Sequence, residues 1–211
     1  MIVKELKVPM IQDEDGHIIG YGGNQDWFPD KWARQAGCGS VAASNIAACF
    51  SLNCQGFEAL APNAREQMGK EEFLSLMQEM YSRMKPGLMG YPYPAKLGKA
   101  FAAYAKEREI DLTPRAVCRW KDWEEGYRLV KDSIDGGTAV GFLILAHRAP
   151  ELKEDIWHWI TICGYEEPEE EGEEPVLIVS DCGDRDRYPA SLLLETHRSN
   201  VTRMVLLVQQ P

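Results

Sequence analysis

The sequence predicts an α+β fold with a mainly antiparallel sheet. Two observations carry this. Apolar residues recur at helical spacing in the earlier part of the 211-residue chain, and after residue 137 they gather into short runs rich in β-branched side chains. Helices first and strands later is the order of a segregated α+β domain. The length suits one domain. The expected organisation is a single domain over residues 1–211, with a helical lobe at about 38–110 and a sheet lobe at about 111–211.

The elements follow in order. Residues 1–30 read as irregular, because GHIIGYGGNQDWFPD is rich in Gly, Asp and Asn. Residues 38–51 read as a helix with Val41, Ala42, Ala43, Ile46, Ala47, Ala48 and Phe50 nearly all round it. Such a helix belongs in the middle of a domain. KEEFLSLMQEMYSRM (70–84) puts Phe73, Met77, Met80 and Met84 on one stripe, and Gly87 suits the reversal that follows. PAKLGKAFAAYAKERE (94–109) opens with Pro94 at a first helical position and carries the stripe Leu97, Phe101, Tyr104, Ala105. A short strand is expected around 113–119. DWEEGYRLVKDSIDGG (122–137) begins with Asp122 and Glu125, close to a capping box. It buries Trp123, Tyr127, Val130 and Ile134 and stops at Gly136 and Gly137. The strands are TAVGFLIL (138–145), WHWITIC (157–163), VLIVS (176–180) and VTRMVLLV (201–208). YEEPEEEGEEP (165–175) reads as a solvated, mobile hairpin loop, because its seven glutamates repel one another.

Composition removes several function classes. A net charge of −10 and a pI near 5.0 argue against nucleic acid or an anionic membrane as partner. The opening MIVKELKVPMIQDEDG has lysines and acids where a signal peptide needs an apolar stretch, so a cytoplasmic location is expected. No uncharged apolar run reaches the roughly 18 residues of a membrane span. The six cysteines, at 38, 49, 54, 118, 163 and 182, include three inside apolar runs, Cys49, Cys118 and Cys163. They read as free, mostly buried thiols. Without a CxxC pair a structural zinc site has weak support, and no metal or cofactor is expected.

Three residues carry candidate chemistry. Cys38, in AGCGSVAAS, would sit at the N-terminus of the buried helix, where unpaired N–H groups stabilise a thiolate. Flanking glycines allow a tight turn and a close substrate carbonyl. It could equally be a small core residue beside a cap. His158 shares one face of WHWITIC with Ile160 and Ile162, while Trp157, Trp159, Thr161 and Cys163 take the other. It is either a core histidine satisfied by a carbonyl or a general base facing a thiol. Asp181 ends an apolar strand in VLIVSDCG. It could orient a histidine, or serve as a turn residue before Gly183.

The other candidates read blandly. Trp27, Phe28 and Trp32 are packing aromatics ahead of a core helix. Cys182 with Cys163 and His158 makes a poor zinc set, because adjacent strand residues point oppositely. His17, His147 and His197 are surface or cap residues.

GCGSVAASNIAAC, then HWITICGY, then VSDCG, in that order over about residues 12–185, resembles the papain-like superfamily of cysteine peptidases. Within it the pattern is similar to the bacterial branch with the double-glycine leader (bacteriocin-processing) peptidases. The resemblance implies a central cysteine-bearing helix packed on the sheet, and an acyl-thioester mechanism acting on a peptide or amide substrate. It places the nucleophile on Cys38, the base on His158, the orienting acid on Asp181 and the oxyanion-hole amide on a glutamine. That glutamine usually lies about six residues before the cysteine, where this chain has Trp32. Gln25 is the preferred candidate, across an insertion, ahead of Gln35 and Gln12. The alternatives are an amidase or transglutaminase-like acyltransferase with the same triad, or a catalytically silent papain-like binding domain.

Overall fold

A computed structural model describes residues 1–169 and 173–209. Its main sheet runs in the order β5 (Leu112–Val117), β10 (Val201–Gln209), β6 (Val140–Ala146), β7 (His158–Glu167), β8 (Val176–Asp181), β9 (Asp184–Pro189). The N-terminal β1 (Ile2–Glu5) pairs with the far half of β7. All pairings in this sheet are antiparallel. A small second sheet joins β2 (Met10–Gln12), β3 (Ile18–Tyr21) and β4 (Gln67–Gly69), with β2 and β4 parallel. The class is therefore α+β with a mainly antiparallel sheet.

Helices cover both faces of the main sheet. α2 (Cys38–Asn53) lies on one, buried without a break from Cys38 to Phe50. Gly141 of β6 leaves room beneath it: a Cβ there would lie 2.7 Å from Val205 and 3.4 Å from Ile46 of α2. Each large side chain that α2 buries, such as Ile46 or Phe50, contributes roughly 1.5–3 kcal/mol. α3 (Lys70–Arg83) and α4 (Pro94–Lys106) complete that side. On the opposite face α5 (Trp123–Asp135) sets the Tyr127 ring edge-on against Tyr165, 6.0 Å between centroids. Asp122 caps α5 by accepting from the Glu125 N–H at 2.9 Å. The Glu125 carboxylate accepts from Lys121 N rather than Asp122 N, so the reciprocal half of the box is displaced by one residue. Two short helices, α1 (Lys31–Ala36) and α6 (Ala190–Leu193), fill the remaining corners.

Several expectations change. Residues 1–30 are not irregular, because they contain β1, β2 and β3. Each has only three or four residues, too few for a period to show. α1 follows directly, started by Asp30, whose side chain accepts from Ala33 N. The charged β9 was also hidden, because DRDRYP is an edge strand facing solvent. Tyr165, Glu166 and Glu167 belong to β7 rather than to a solvated loop, and residues 170–172 lie outside the described residues. Glu166 is buried against Arg187, and Glu167 accepts from Lys131. The lobe division is crossed as well: β1 joins the sheet lobe, and one core cluster runs from Leu6 through α2 and α4 to Leu207. Cys118 is exposed, whereas Cys38, Cys49 and Cys163 are buried, and all six thiols are free. His147 is buried rather than a surface residue, with Asn200 Nδ2 3.1 Å from its Nε2.

No helix among the described residues is long and apolar enough to cross a membrane.

Candidate active site

Three elements converge at one rim of the sheet: the first turn of α2, the first residue of β7 and the last residue of β8. β7 is buried on both faces from Trp159 to Glu166. Trp159 and Thr161 meet α2 while Ile160 and Ile162 share the other face. Alternation therefore does not separate an inner face from an outer one here. The position of His158 at the strand's start is what brings it to the rim. Trp157, just before it, has φ of 64°, a left-handed backbone that no regular strand carries.

The His158 ring is held from one side. Its Nε2 lies 2.7 Å from Asp181 Oδ1, and the two side chains are only 14% and 10% exposed. The Cys38 thiol lies beside the same ring and lines the same small cavity. Burial pulls the imidazole pKa down. The hydrogen bond to Asp181, then the neighbouring thiols Cys182 and Cys38, more than reverse this and hold it well above the ordinary imidazole value of 6.5. The surroundings of His158 therefore favour the protonated ring over the neutral one. The stability it contributes is complete below its unfolded value and is lost only as pH climbs through the raised folded one.

A second acid neighbours the His158–Asp181 pair. Asp155 faces Asp181, and its own pKa is pushed up to about 6, by burial first and then by the Asp181 carboxylate. Asp155 therefore keeps a proton into the mildly acidic range and can donate it to Asp181.

Of the glutamines, Gln25 shares the cavity with Cys38, His158, Trp159 and Cys182. That cavity holds about 10 Å³, room for a single water-sized group. The Gln25 Oε1 is buried with no hydrogen-bond partner. A buried amide left unsatisfied marks either a ligand position or stored strain. Gln35 lines a different, outer cleft beside Cys38. Gln12 reaches Gln67 on the small sheet, away from both cavities.

The segment that carries Gln25 is tied down by a buried polar network. Asn45, about two turns along α2, accepts from Gly23 N at 2.9 Å and donates to Ser180 Oγ at 3.1 Å. Ser180 Oγ in turn donates to the Tyr21 carbonyl at 2.6 Å. One asparagine thus links α2, β8 and the loop ahead of α1. Asn45 is not among the residues the sequence singles out, and its one sequence signal is a lone amide in a run of alanines and apolar residues.

Of the two flanking glycines, Gly37 is required by packing, while a Cβ at Gly39 would meet nothing closer than 3.4 Å. Gly37 has an ordinary φ of −86°, but a Cβ there would sit 2.4 Å from the Ala33 carbonyl oxygen and 2.7 Å from the Phe28 ring. Phe28 is accordingly core, as expected, whereas Trp32 is partly exposed and lines the outer cleft. This cleft, about 300 Å³, is lined by Cys38 together with Trp32, Trp157, Trp159, Leu88, Met89 and Tyr91. Trp159 donates to the Tyr91 carbonyl at 2.8 Å and so holds the 87–92 wall.

Cys182 corrects an expectation. It is not a strand residue pointing away from Asp181. Cys182 and Gly183 both have positive φ, 46° and 88°, as a two-residue hairpin of the primed type between β8 and β9 requires. This turn returns the Cys182 sulfur to 3.5 Å from His158 Nε2. Cys163 lies elsewhere, 3.3 Å from the Tyr21 hydroxyl. Among the described residues two groups have metal-ligating atoms close together: His158, Asp181 and Cys182, and the exposed Asp13, Asp15 and His17. The second is a turn in which Asp13 accepts from the backbone N–H of Asp15 and His17.

No protein-family model matches this chain, and a search of curated proteins returns no match.

Proposed function

We propose that this chain is a papain-like cysteine hydrolase cleaving a peptide or amide bond. One observation carries the reading: His158 lies 2.7 Å from the Asp181 carboxylate and lines one small cavity with the Cys38 thiol, at the head of a buried helix.

The roles follow from this placement. The imidazolium stabilises the Cys38 thiolate, aided by the uncapped start of α2. The thiolate attacks the scissile carbonyl carbon, and its π electrons move to oxygen. The Cys38 N–H and the Gln25 amide are the donors near that oxygen. When the tetrahedral centre collapses, the C–N bond breaks and His158 gives its proton to the leaving amine. Water then attacks the thioester, with His158 taking a proton, and the acid departs as the thiol returns. Asp181 keeps the ring oriented and stabilises its charge throughout. The apolar, tryptophan-lined cleft favours a substrate with an aromatic or aliphatic group beside the scissile carbonyl.

Iodoacetamide labelling of Cys38 against pH, read on its own peptide, tests the reading. Fast labelling near pH 6 is expected, slowed by more than about tenfold in His158→Ala. A titration near that of a free thiol, unchanged by the substitution, would overturn it.

A further inference from the structure

We propose that His158 Nε2, the Asp181 carboxylate and the Cys182 thiolate form a binding site for a borderline-soft divalent cation, zinc above all. Occupancy of this site would switch the proposed hydrolase off.

The donor set comes first. One imidazole, one carboxylate and one thiolate suit zinc, and a hard cation such as magnesium would not select the sulfur. Their ligand atoms all lie within 4.8 Å of one another. Spacing comes second. A tetrahedral centre with ordinary Zn–N and Zn–S bonds separates its nitrogen and sulfur by about 3.5 Å. Cys182 Sγ and His158 Nε2 are 3.5 Å apart. The same geometry sets nitrogen and oxygen about 3.3 Å apart. The present 2.7 Å is a hydrogen bond, so Asp181 would withdraw slightly as the ion replaces the shared proton.

The backbone supplies an independent observation. Cys182 takes a left-handed conformation in a turn position where Gly, Asn or Asp is favoured. A bulkier residue held there, with its sulfur returned to the histidine, is strain at a place of chemical use. Two of the three ligands, His158 and Cys182, also line the small cavity shared with Cys38, and three protein ligands with one open place is a recurrent zinc arrangement.

Binding releases the Cys182 thiol proton and the proton between His158 and Asp181 to solvent. With Nε2 on the metal, the ring can no longer carry the charge that stabilises the Cys38 thiolate. This inhibition rests on the hydrolase reading; the binding itself does not.

Cobalt(II) titration of the reduced full chain tests the site. One equivalent should produce a thiolate-to-cobalt charge-transfer band that Cys182→Ser and His158→Ala lose and Cys38→Ser keeps. A wild-type chain without the band, or a band that follows Cys38 and survives Cys182→Ser, would overturn the site. A second measurement needs no variant. Zinc should slow iodoacetamide labelling of the Cys182 peptide by at least about tenfold and leave exposed Cys118 unprotected. Equal labelling of Cys182 with and without zinc refutes the proposal. Neither readout requires turnover, so a silent enzyme that binds cobalt and an active enzyme that does not are separate results.

Discussion

The two ends of β7 make the instructive comparison. At its far end Tyr165 donates to Asp135 at 2.6 Å and accepts from Lys131 at 2.8 Å. Glu167 accepts from Lys131 and Tyr127 at 3.0 Å each, and Glu166 is held by Arg187. Each of these polar groups has a partner of the right kind, and the cluster locks strand to helix. At the near end the backbone is left-handed on either side of the site, at Trp157 and Cys182, and the Gln25 amide oxygen has no partner. The lesson is that ionisable residues on one strand become structural where their bonds close on one another. Where a buried acceptor such as the Gln25 amide oxygen keeps no partner, a bond is left open.

That contrast can be broken in graded steps. The largest effect is expected at the open end: Cys38→Ser should lower turnover of an amide substrate carrying an aromatic group by about 10³-fold or more, with the thermal midpoint nearly unchanged. Gln25→Ala should lower kcat by about 10²-fold, the scale of losing one oxyanion donor, while Gln12→Ala leaves it alone. Equal effects from the two glutamines would remove the distinction their placement makes.

At the closed end the signature should reverse. Tyr165→Phe should cost about 1–2 kcal/mol in denaturant unfolding and leave the Cys38 labelling rate as it was. If that substitution slowed labelling, the two ends would not be independent.

The smallest effect concerns Asp155, whose pKa rises from 3.8 unfolded to about 6 folded. Between those values the folded chain keeps a proton that the unfolded chain has lost, so stability falls as pH rises through the window. After discounting for solvent screening the fall is about 1 kcal/mol, and Asp155→Asn should abolish it in melts taken across that range.

How far the molecule was legible depended on whether a residue's role was local. α2 to α5 could be read because each has an apolar period or a cap within its own length, such as Asp122 at the head of α5. The strands of three or four residues could not, because their stability comes from partners distant in sequence: β1 pairs with β7, and β2 with β4. Tyr165 to Glu167 were misplaced for the same reason. Their charge argued for solvent, and only Lys131, Arg187 and Tyr127, contributed by other elements, make them strand.

The site divides along the same line. The sequence alone determined the residue types and their order: a thiol at the head of a small-residue helix, a histidine at the head of a strand, an acid at the end of the next. Those are one-dimensional facts, because a helix start and a strand end are written in neighbouring residues. Tertiary structure decided the rest. It set Gln25 and not Gln12 beside Cys38, and it placed Asn45 beneath the loop that presents Gln25. It also turned Cys182 back onto the histidine. Each of these depends on a left-handed backbone or a long-range hydrogen bond, and neither leaves a period in the chain.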